Sequence, residues 1–511
     1  MATAAVRARI KMTYYMQNAA QAAHIAIDLG ATSGRVFAGR RHADILEISE
    51  IRRFSNGPVL FGNSWHWDVA RLWDEIRIAL SECPSRLAGI GVDTWGVDYA
   101  LLGEHGELLQ NPHHYRDPRN LSAMREVLER VSRNDIYRQT GIQFMPINTL
   151  YQLFAAKRDT PELLAAARKL ILMPDLFHYW LTGNAVCEYT AASTTQFTDP
   201  STRRWATSLL ETLDLPHHLP GTLVEPGVLV GHVLPEVAGA KAAGTPVFAP
   251  ASHDTASAVA AVAACGDTAF LSSGTWSLIG TEVAAPILSA SAQQKNFTNE
   301  GGVEGTTRFL KNVMGLWMME QCRKQWSAAG DRYEHQELMD AAARTAPLGS
   351  LVRPLVDPDD TAFLNPVSMT AAINDFCRRT DQPGPKLPSD YARVILDSLA
   401  LKYRLVIRDL ESITGQTITC IRVIGGGSKN RLLNQLTADA TGKRVCAGPV
   451  EAAVAGNIGI QMLATGAVSS LHEMRALIDR SFPTEIFEPS DTGQWDRNAQ
   501  RFQQYCEWSH A

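Results

Sequence analysis

The sequence predicts an α/β protein built twice on a related plan, and three runs of residues carry that expectation. His24-Ile-Ala-Ile-Asp28-Leu-Gly30-Ala-Thr-Ser-Gly34-Arg-Val-Phe-Ala is apolar, then a glycine-bearing polar turn, then apolar again, the pattern of a β-hairpin. Ala269-Phe-Leu-Ser-Ser-Gly274-Thr275-Trp-Ser-Leu-Ile-Gly repeats that pattern in the second half of the chain. Ile421-Arg-Val-Ile-Gly425-Gly-Gly427, continuing to Gly442, reads as a strand, a glycine turn and a helix. No short period recurs, so a solenoid array is excluded.

The remaining elements follow in order. Leu87 to Tyr99, which includes Asp93 and Asp98, is strand-like, and Pro161 to Leu172 is helical in pattern. Thr245 to Ala251 is a strand. It is followed by the polar cluster Ser252-His253-Asp254-Thr255 and an Ala/Val-rich run, Ala256 to Ala264, that begins a helix. Cys265-Gly-Asp267 marks a domain junction. Beyond it, Leu432, Leu433, Leu436 and Ala440 share one helical face, with Gly442 as the stop. Segments 347 to 366 and 381 to 390 are rich in proline and read as loops. The expected organisation is an N-terminal domain over 24–265, a C-terminal domain over 266–490 and a tail over 491–511.

Residues 1 to 23 carry Arg7, Arg9 and Lys11 and no acid, without the continuous apolar core of a secretory signal. A disordered extension is expected. A later start at Met12 or Met16, or a basic transit peptide, are the other readings.

The chain has 511 residues, enough for two or three domains and a sizeable core. Hydrophobic residues make up 45% and charged residues 20%, as in globular proteins. A net charge of -5 favours neither nucleic acid nor an anionic membrane as partner. No apolar run is long enough to span a bilayer. The eight cysteines are scattered without zinc or redox-pair spacing, which points to reduced thiols in the cytoplasm.

Asp254 is the leading chemical candidate. A carboxylate where a strand gives way to a helix lies at the carboxyl edge of a sheet, where open α/β folds bind ligands. The competing reading is that Ser252 or Asp254 only caps the helix. Ser252-His253-Asp254 is no hydrolase triad, since three consecutive side chains cannot form a relay. His253 has no second ligand at metal-binding spacing.

Asp28 ends a strand, and the small residues after it let backbone amides approach an anion. Thr32, Ser33 and Arg35 add donors for phosphate oxygens. The run lacks the lysine of a P-loop. Ser273-Gly274-Thr275 offers a second such turn. Gly425-Gly426-Gly427 leaves room for a flat base or ribose, and it is not the dinucleotide fingerprint.

Taken together, these runs resemble the FGGY carbohydrate kinases. The resemblance rests on Asp28-Leu-Gly-Ala-Thr-Ser-Gly-Arg, Gly91-Val-Asp-Thr-Trp-Gly-Val-Asp98, Tyr115-Arg-Asp-Pro-Arg119, Met173-Pro-Asp175, Ser252-His-Asp-Thr, Ser272-Ser-Gly-Thr-Trp-Ser, Asn299-Glu-Gly-Gly, Lys311-Asn-Val-Met-Gly-Leu-Trp and Gly425-Gly-Gly-Ser-Lys-Asn. It runs from about residue 24 to about 490.

The resemblance implies an actin/hexokinase-like fold of two ribonuclease-H-like domains with an interdomain cleft. It implies transfer of the ATP γ-phosphate, with Mg²⁺, to the 1-hydroxyl of L-rhamnulose in L-rhamnose breakdown. A kinase for fuculose, xylulose or ribulose and a non-catalytic ATP-binding protein of the actin fold are the alternatives. Asp254 would be the base. Gly96, His253, Asp254, Thr255 and Asn312 match sugar-contacting positions. Ala31, Thr32, Ser33, Gly34, Arg35, Thr275 and Gly426 match nucleotide-contacting positions, and Asp28 would orient the metal. Glu320 stands at a nucleotide-contacting position where relatives often carry glutamine.

Overall fold

Seven consecutive buried residues, Ala23 to Leu29, form the first strand and fix the centre of a sheet. A computed structural model describes residues 22–345, 353–490 and 492–510. The N-terminal extension, apart from its last two residues, lies outside the described residues, as does the start of the loop expected over 347–366.

Along the chain the sheet-forming strands and the helices that bear on the site are β1 (Ala23–Leu29), β2 (Ser33–His42), β3 (Ile45–Ser55), β4 (Leu87–Thr94), β5 (Leu229–His232), β6 (Pro246–Phe248), α1 (Asp254–Ala260), β7 (Thr268–Ser273), β8 (Trp276–Val283), β9 (Thr307–Met314), α2 (Trp317–Ala328), α3 (Pro388–Thr414), β10 (Cys420–Ile424), α4 (Arg431–Thr441), β11 (Arg444–Ala447), α5 (Ala452–Ala464), β12 (Glu485–Phe487) and α6 (Gly493–His510).

The chain divides into two compact units. Unit 1 comprises residues up to 263 together with 283–308 and 452–483. Unit 2 comprises 264–282, 309–451 and 484–511. The sheet of unit 1 runs β5-β6-β4-β1-β2-β3. In it β1 is antiparallel to β2 and parallel to β4, and β4 is parallel to β6. In unit 2 the order is β9-β8-β7-β10-β11-β12, with β7 antiparallel to β8 and parallel to β10, and β10 parallel to β11. Within each unit the first strand thus has the second and then the third on one side and the fourth on the other, with a further parallel strand beyond it and an antiparallel strand at the far edge. That shared order is the duplicated plan the two hairpins announced.

Two stretches on the far side of the expected division at 265 cluster with unit 1: 283–308 and 452–483. For the second the cause is visible. On α5, Asn457 Nδ2 donates to Gly91 O at 3.2 Å and Gln461 Nε2 donates to Ile25 O at 2.9 Å. Gly456 brings this helix so close to Ser257 of α1 that a Cβ would overlap the Ser257 carbonyl. The residues expected as a C-terminal tail form α6, whose Trp495 is fully buried.

Two elements differ from expectation. The helix at Pro161 ends at Ala166, and Lys169–Leu172 is a strand antiparallel to Tyr99–Leu102. Ala167 is already extended, and Arg168 N bonds Leu102 O, so burial of Leu170, Ile171 and Leu172 against that strand overrides helical spacing. The strand from Leu87 stops at Thr94. Val97 then adopts φ +67°, unusual for a β-branched residue, before the chain re-enters a strand at Tyr99.

Candidate functional site

The parallel pairing of β1 with β4 sets Asp28 directly beside Asp93, both at the carboxyl end of the sheet of unit 1. An isolated bridge between Thr94 and His253, with Thr94 N bonded to Ser252 O at 2.9 Å, brings the start of α1 to the same edge. Three carboxylates, Asp28, Asp93 and Asp254, therefore collect where an open α/β sheet binds its ligand. Asp28 and Asp93 are buried. The Asp254 side chain is 30% exposed, which leaves it open to a ligand.

The capping reading of this segment does not hold. The helix cap position is His253, with no side-chain cap bond, and Ser252 Oγ bonds Pro250 O. Asp254 is the first helical residue, and its carboxylate accepts from the next residue, Thr255, through N and Oγ1 and lies 3.5 Å from His253 Nε2. Burial is the main cause that raises the Asp254 pKa. His253 opposes it, and the charge of Asp28 adds to it. Asp93 is raised further, by burial and then by Asp28, against an Asn457 hydrogen bond.

The surroundings hold the segment still. Glu188 is fully buried and accepts from Thr190 N, Thr190 Oγ1, Ala191 N and Ser252 N. His253 N donates to Thr190 Oγ1 at 3.1 Å. The His253 ring packs against buried Arg308 and Glu300, at 3.2 and 3.4 Å from Nδ1. Gly96 faces His253: a Cβ there would lie 3.3 Å from His253 Nε2 and 3.1 Å from Thr194. Asp98 anchors that loop, accepting from the indole nitrogens of Trp67 and Trp95 and from Gln152 Nε2.

In the first turn, Gly30 N bonds Ser33 O, and the Asn56 side chain bonds Gly30 O. Thr32 is exposed, and Ala31, Ser33 and Arg35 are half-buried. Gly34 is required for a reason other than anion approach, since a Cβ would overlap the Phe54 ring. Arg35 pairs with Asp28.

Unit 2 gathers its own set. Gly274 O accepts from Leu316 N, and Thr275 O accepts from Gly315 N and Trp317 N, so this turn docks on the start of α2. Gly427 packs on Ser273, while exposed Gly426 has open space above it. Asn312 is half-buried on β9. Glu320, on α2, pairs with Arg323 at 3.1 Å, which offsets its charge.

The structure thus brings together Asp28, Arg35, Gly96, His253, Asp254 and Thr255 in unit 1, and Thr275 and Gly426 through Ser273 in unit 2. Sequence reasoning passed over Asp93, Glu188, Glu300 and Arg308 as site residues. Asp93 carried a signal, a carboxylate closing an apolar strand as Asp28 does. Glu188 carried none.

Among the described residues no group of three or more His, Cys, Asp and Glu side chains is arranged to hold a metal ion. A magnesium ion asks for less, because it uses one or two carboxylates and takes its other ligands from water and substrate phosphates. Asp93 Oδ1 is buried without a hydrogen-bond partner beside Asp28, and this acidic pair suits such a cation. Also among the described residues, no helix is long and apolar enough to cross a membrane.

The two-unit architecture is that of the actin/hexokinase-like ATPases. The xylulose kinase of Lactobacillus acidophilus superposes with a TM-score of 0.75 at 18% identity, over 96% of this chain and 98% of that one. Two profiles of the FGGY family of carbohydrate kinases match, the N-terminal domain over residues 23–261 and the C-terminal domain over 269–465. The chain belongs to that family and is a carbohydrate kinase. It is 44% identical to a rhamnulokinase of Bacteroides thetaiotaomicron over 92% of its own length and 96% of the relative. It is 39% identical to a rhamnulokinase of Halalkalibacterium halodurans over 91% and 99%.

Proposed function

We propose that this chain transfers the γ-phosphate of ATP to the 1-hydroxyl of L-rhamnulose, with Asp254 as the base. The observation that carries the reading is a carboxylate at the sheet edge, open to ligand, that caps nothing and is held in place by Glu188 and Thr190 through the backbone of residues 252 and 253. Identity of 44% and 39% to two rhamnulokinases supports the choice of ketose.

Phosphoryl transfer asks little covalent chemistry of a protein; positioning and charge stabilisation do most of it. Asp254 accepts the proton of the attacking hydroxyl. Gly96, His253, Thr255 and Asn312 bind the sugar, with Gly96 leaving room for it beside the His253 ring. Ala31 to Arg35, Thr275, Glu320 and Gly426 bind the nucleotide. Asp28 and Asp93 would hold Mg²⁺, which when bound neutralises charge on the phosphates.

The test is ADP release over a panel of L-rhamnulose, L-fuculose, D-xylulose and D-ribulose. L-Rhamnulose is expected to give the highest kcat/KM. Equal stimulation by all four, or by none, would defeat the assignment.

A further inference from the structure

Two thiols meet on the sheet of unit 2. β10 and β11 are parallel neighbours, with Cys420 beside Arg444 and Arg422 beside Cys446. Side chains paired across strands share a face, as do those two apart along a strand. Cys420 and Cys446 are therefore diagonal neighbours on one face, and their sulfurs approach to 3.4 Å. Both are half-buried, within reach of a small reagent. Cys83, Cys187, Cys322, Cys377 and Cys506 are buried, and Cys265 is exposed.

The register adds positive charge to that face through Arg422 and Arg444, the second of which also pairs with Glu488 at 2.7 Å. The hydrogen bond from Cys420, and then the two arginines, lower the Cys446 pKa to about 7. The Cys420 thiol is raised, chiefly by the same bond. One sulfur is thus ready to attack as thiolate and the other waits as thiol.

We propose that Cys420 and Cys446 form a redox-active dithiol whose oxidant is a small-molecule disulfide of the glutathione disulfide class. In the first step the Cys446 thiolate attacks one sulfur of that disulfide. A protein–glutathione bond forms, and one glutathione thiolate leaves. In the second step Cys420, giving up its proton to solvent, attacks Cys446 Sγ. The Cys420–Cys446 bond forms and the second glutathione leaves as thiolate. The protein has lost two electrons and two protons, and the small disulfide has gained the electrons.

Two residues along a strand advance about 6.6 Å and neighbouring strands lie about 4.8 Å apart, so diagonal neighbours are roughly 8 Å apart at Cα. Disulfides usually span about 4.4–6.8 Å. The bond therefore draws the strands together and is strained, the class that is readily reduced again. Cys420 stands at the start of β10, so the bond lies at the end of that strand away from the glycine turn.

The test uses the full chain under native conditions with glutathione disulfide, followed by alkylation and peptide mapping. It reads thiols rather than turnover, so it stands or falls independently of the proposed activity. Expected is loss of two of the eight thiols, a Cys420–Cys446 cross-linked peptide, and recovery of both thiols with dithiothreitol. C420S should stop at a glutathione adduct on Cys446. C446S should form no cross-link at this pair, and its Cys420 should carry at most a single glutathione. Eight alkylatable thiols after treatment, a bond joining other cysteines, or two glutathiones carried on Cys420 and Cys446 with no cross-link between them would overturn the proposal.

Discussion

Replacing Asp254 with asparagine separates a base from a structural residue in one experiment. The structure sets the expected sizes. Asn keeps an acceptor for Thr255, so the local hydrogen bonds survive. It loses a favourable charge in the first helical turn, worth about 0.3–1 kcal/mol. It also removes a charge that this environment disfavours, as the raised pKa of Asp254 shows. An acid whose folded pKa is raised contributes stability that is full below its unfolded pKa and lost as pH rises through the folded value. Neutralising it therefore restores stability at pH 7. The two effects oppose, and D254N should melt at or slightly above the wild-type temperature.

Turnover should respond differently. A positioned base contributes about 10²–10⁴-fold, or roughly 2.7–5.4 kcal/mol of activation free energy. The assays are ADP release with L-rhamnulose and thermal unfolding of the same preparation. Since the base acts ionised, the acid limb of the wild-type kcat/KM profile should lie above the ordinary carboxylate range. A variant that melts earlier yet keeps wild-type turnover would refute the reasoning and restore the helix-terminus role.

Three further perturbations test other parts of the structure. Gly96→Ala places a methyl 3.3 Å from His253 Nε2 and should raise the KM for the sugar roughly tenfold, the scale of one misplaced methyl in a pocket; an unchanged KM removes Gly96 from the sugar site. Gly427→Ala overlaps Ser273 and should cost about 1–3 kcal/mol of unfolding free energy, whereas Gly426→Ala meets no atom and should leave stability alone while raising the KM for ATP; equal melting temperatures for the two would refute the packing account. His24 is buried, bonded to Thr465 Oγ1, and its pKa is lowered to about 4 from 6.5 by burial. A lowered folded pKa means stability present above pH 6.5 and lost as pH falls toward 4, and (6.5 − 4) × ~1.36 gives about 3 kcal/mol; urea unfolding of wild type and H24N should show that difference in pH dependence, and parallel curves would refute it.

Local pattern made much of this legible. Both hairpins, the helix after Asp254 and the Gly442 stop were readable because period and turn chemistry act over a few residues. The allegiance of α5 was not. That helix is mostly small and apolar, and it joins unit 1 through Asn457 and Gln461, whose backbone partners lie hundreds of residues away. The turn at Val97 was equally hidden, because Thr149 and Gln152 hold its carbonyl from another helix. Two glycines expected to leave room for a ligand have a packing role that the sequence did not show: Gly34 makes room for Phe54 and Gly427 for Ser273.

The clustering of three acids is itself an argument about function. A fold that needed only stability would gain by replacing buried Asp93 with a neutral residue, since burial and Asp28 both work against its charge. What the fold supplies against that cost is modest: Arg35 on Asp28 and Asn457 on Asp93. Neither reaches Asp93 Oδ1, which stays without a hydrogen bond. Perturbed carboxylates held rigidly at a ligand-binding sheet edge are what a site for charged substrates requires and what a core avoids. The parallel strands β1 and β4 end together at that edge and so deliver the pair at one level. The acid pair and the strand order are thus two consequences of the same topology.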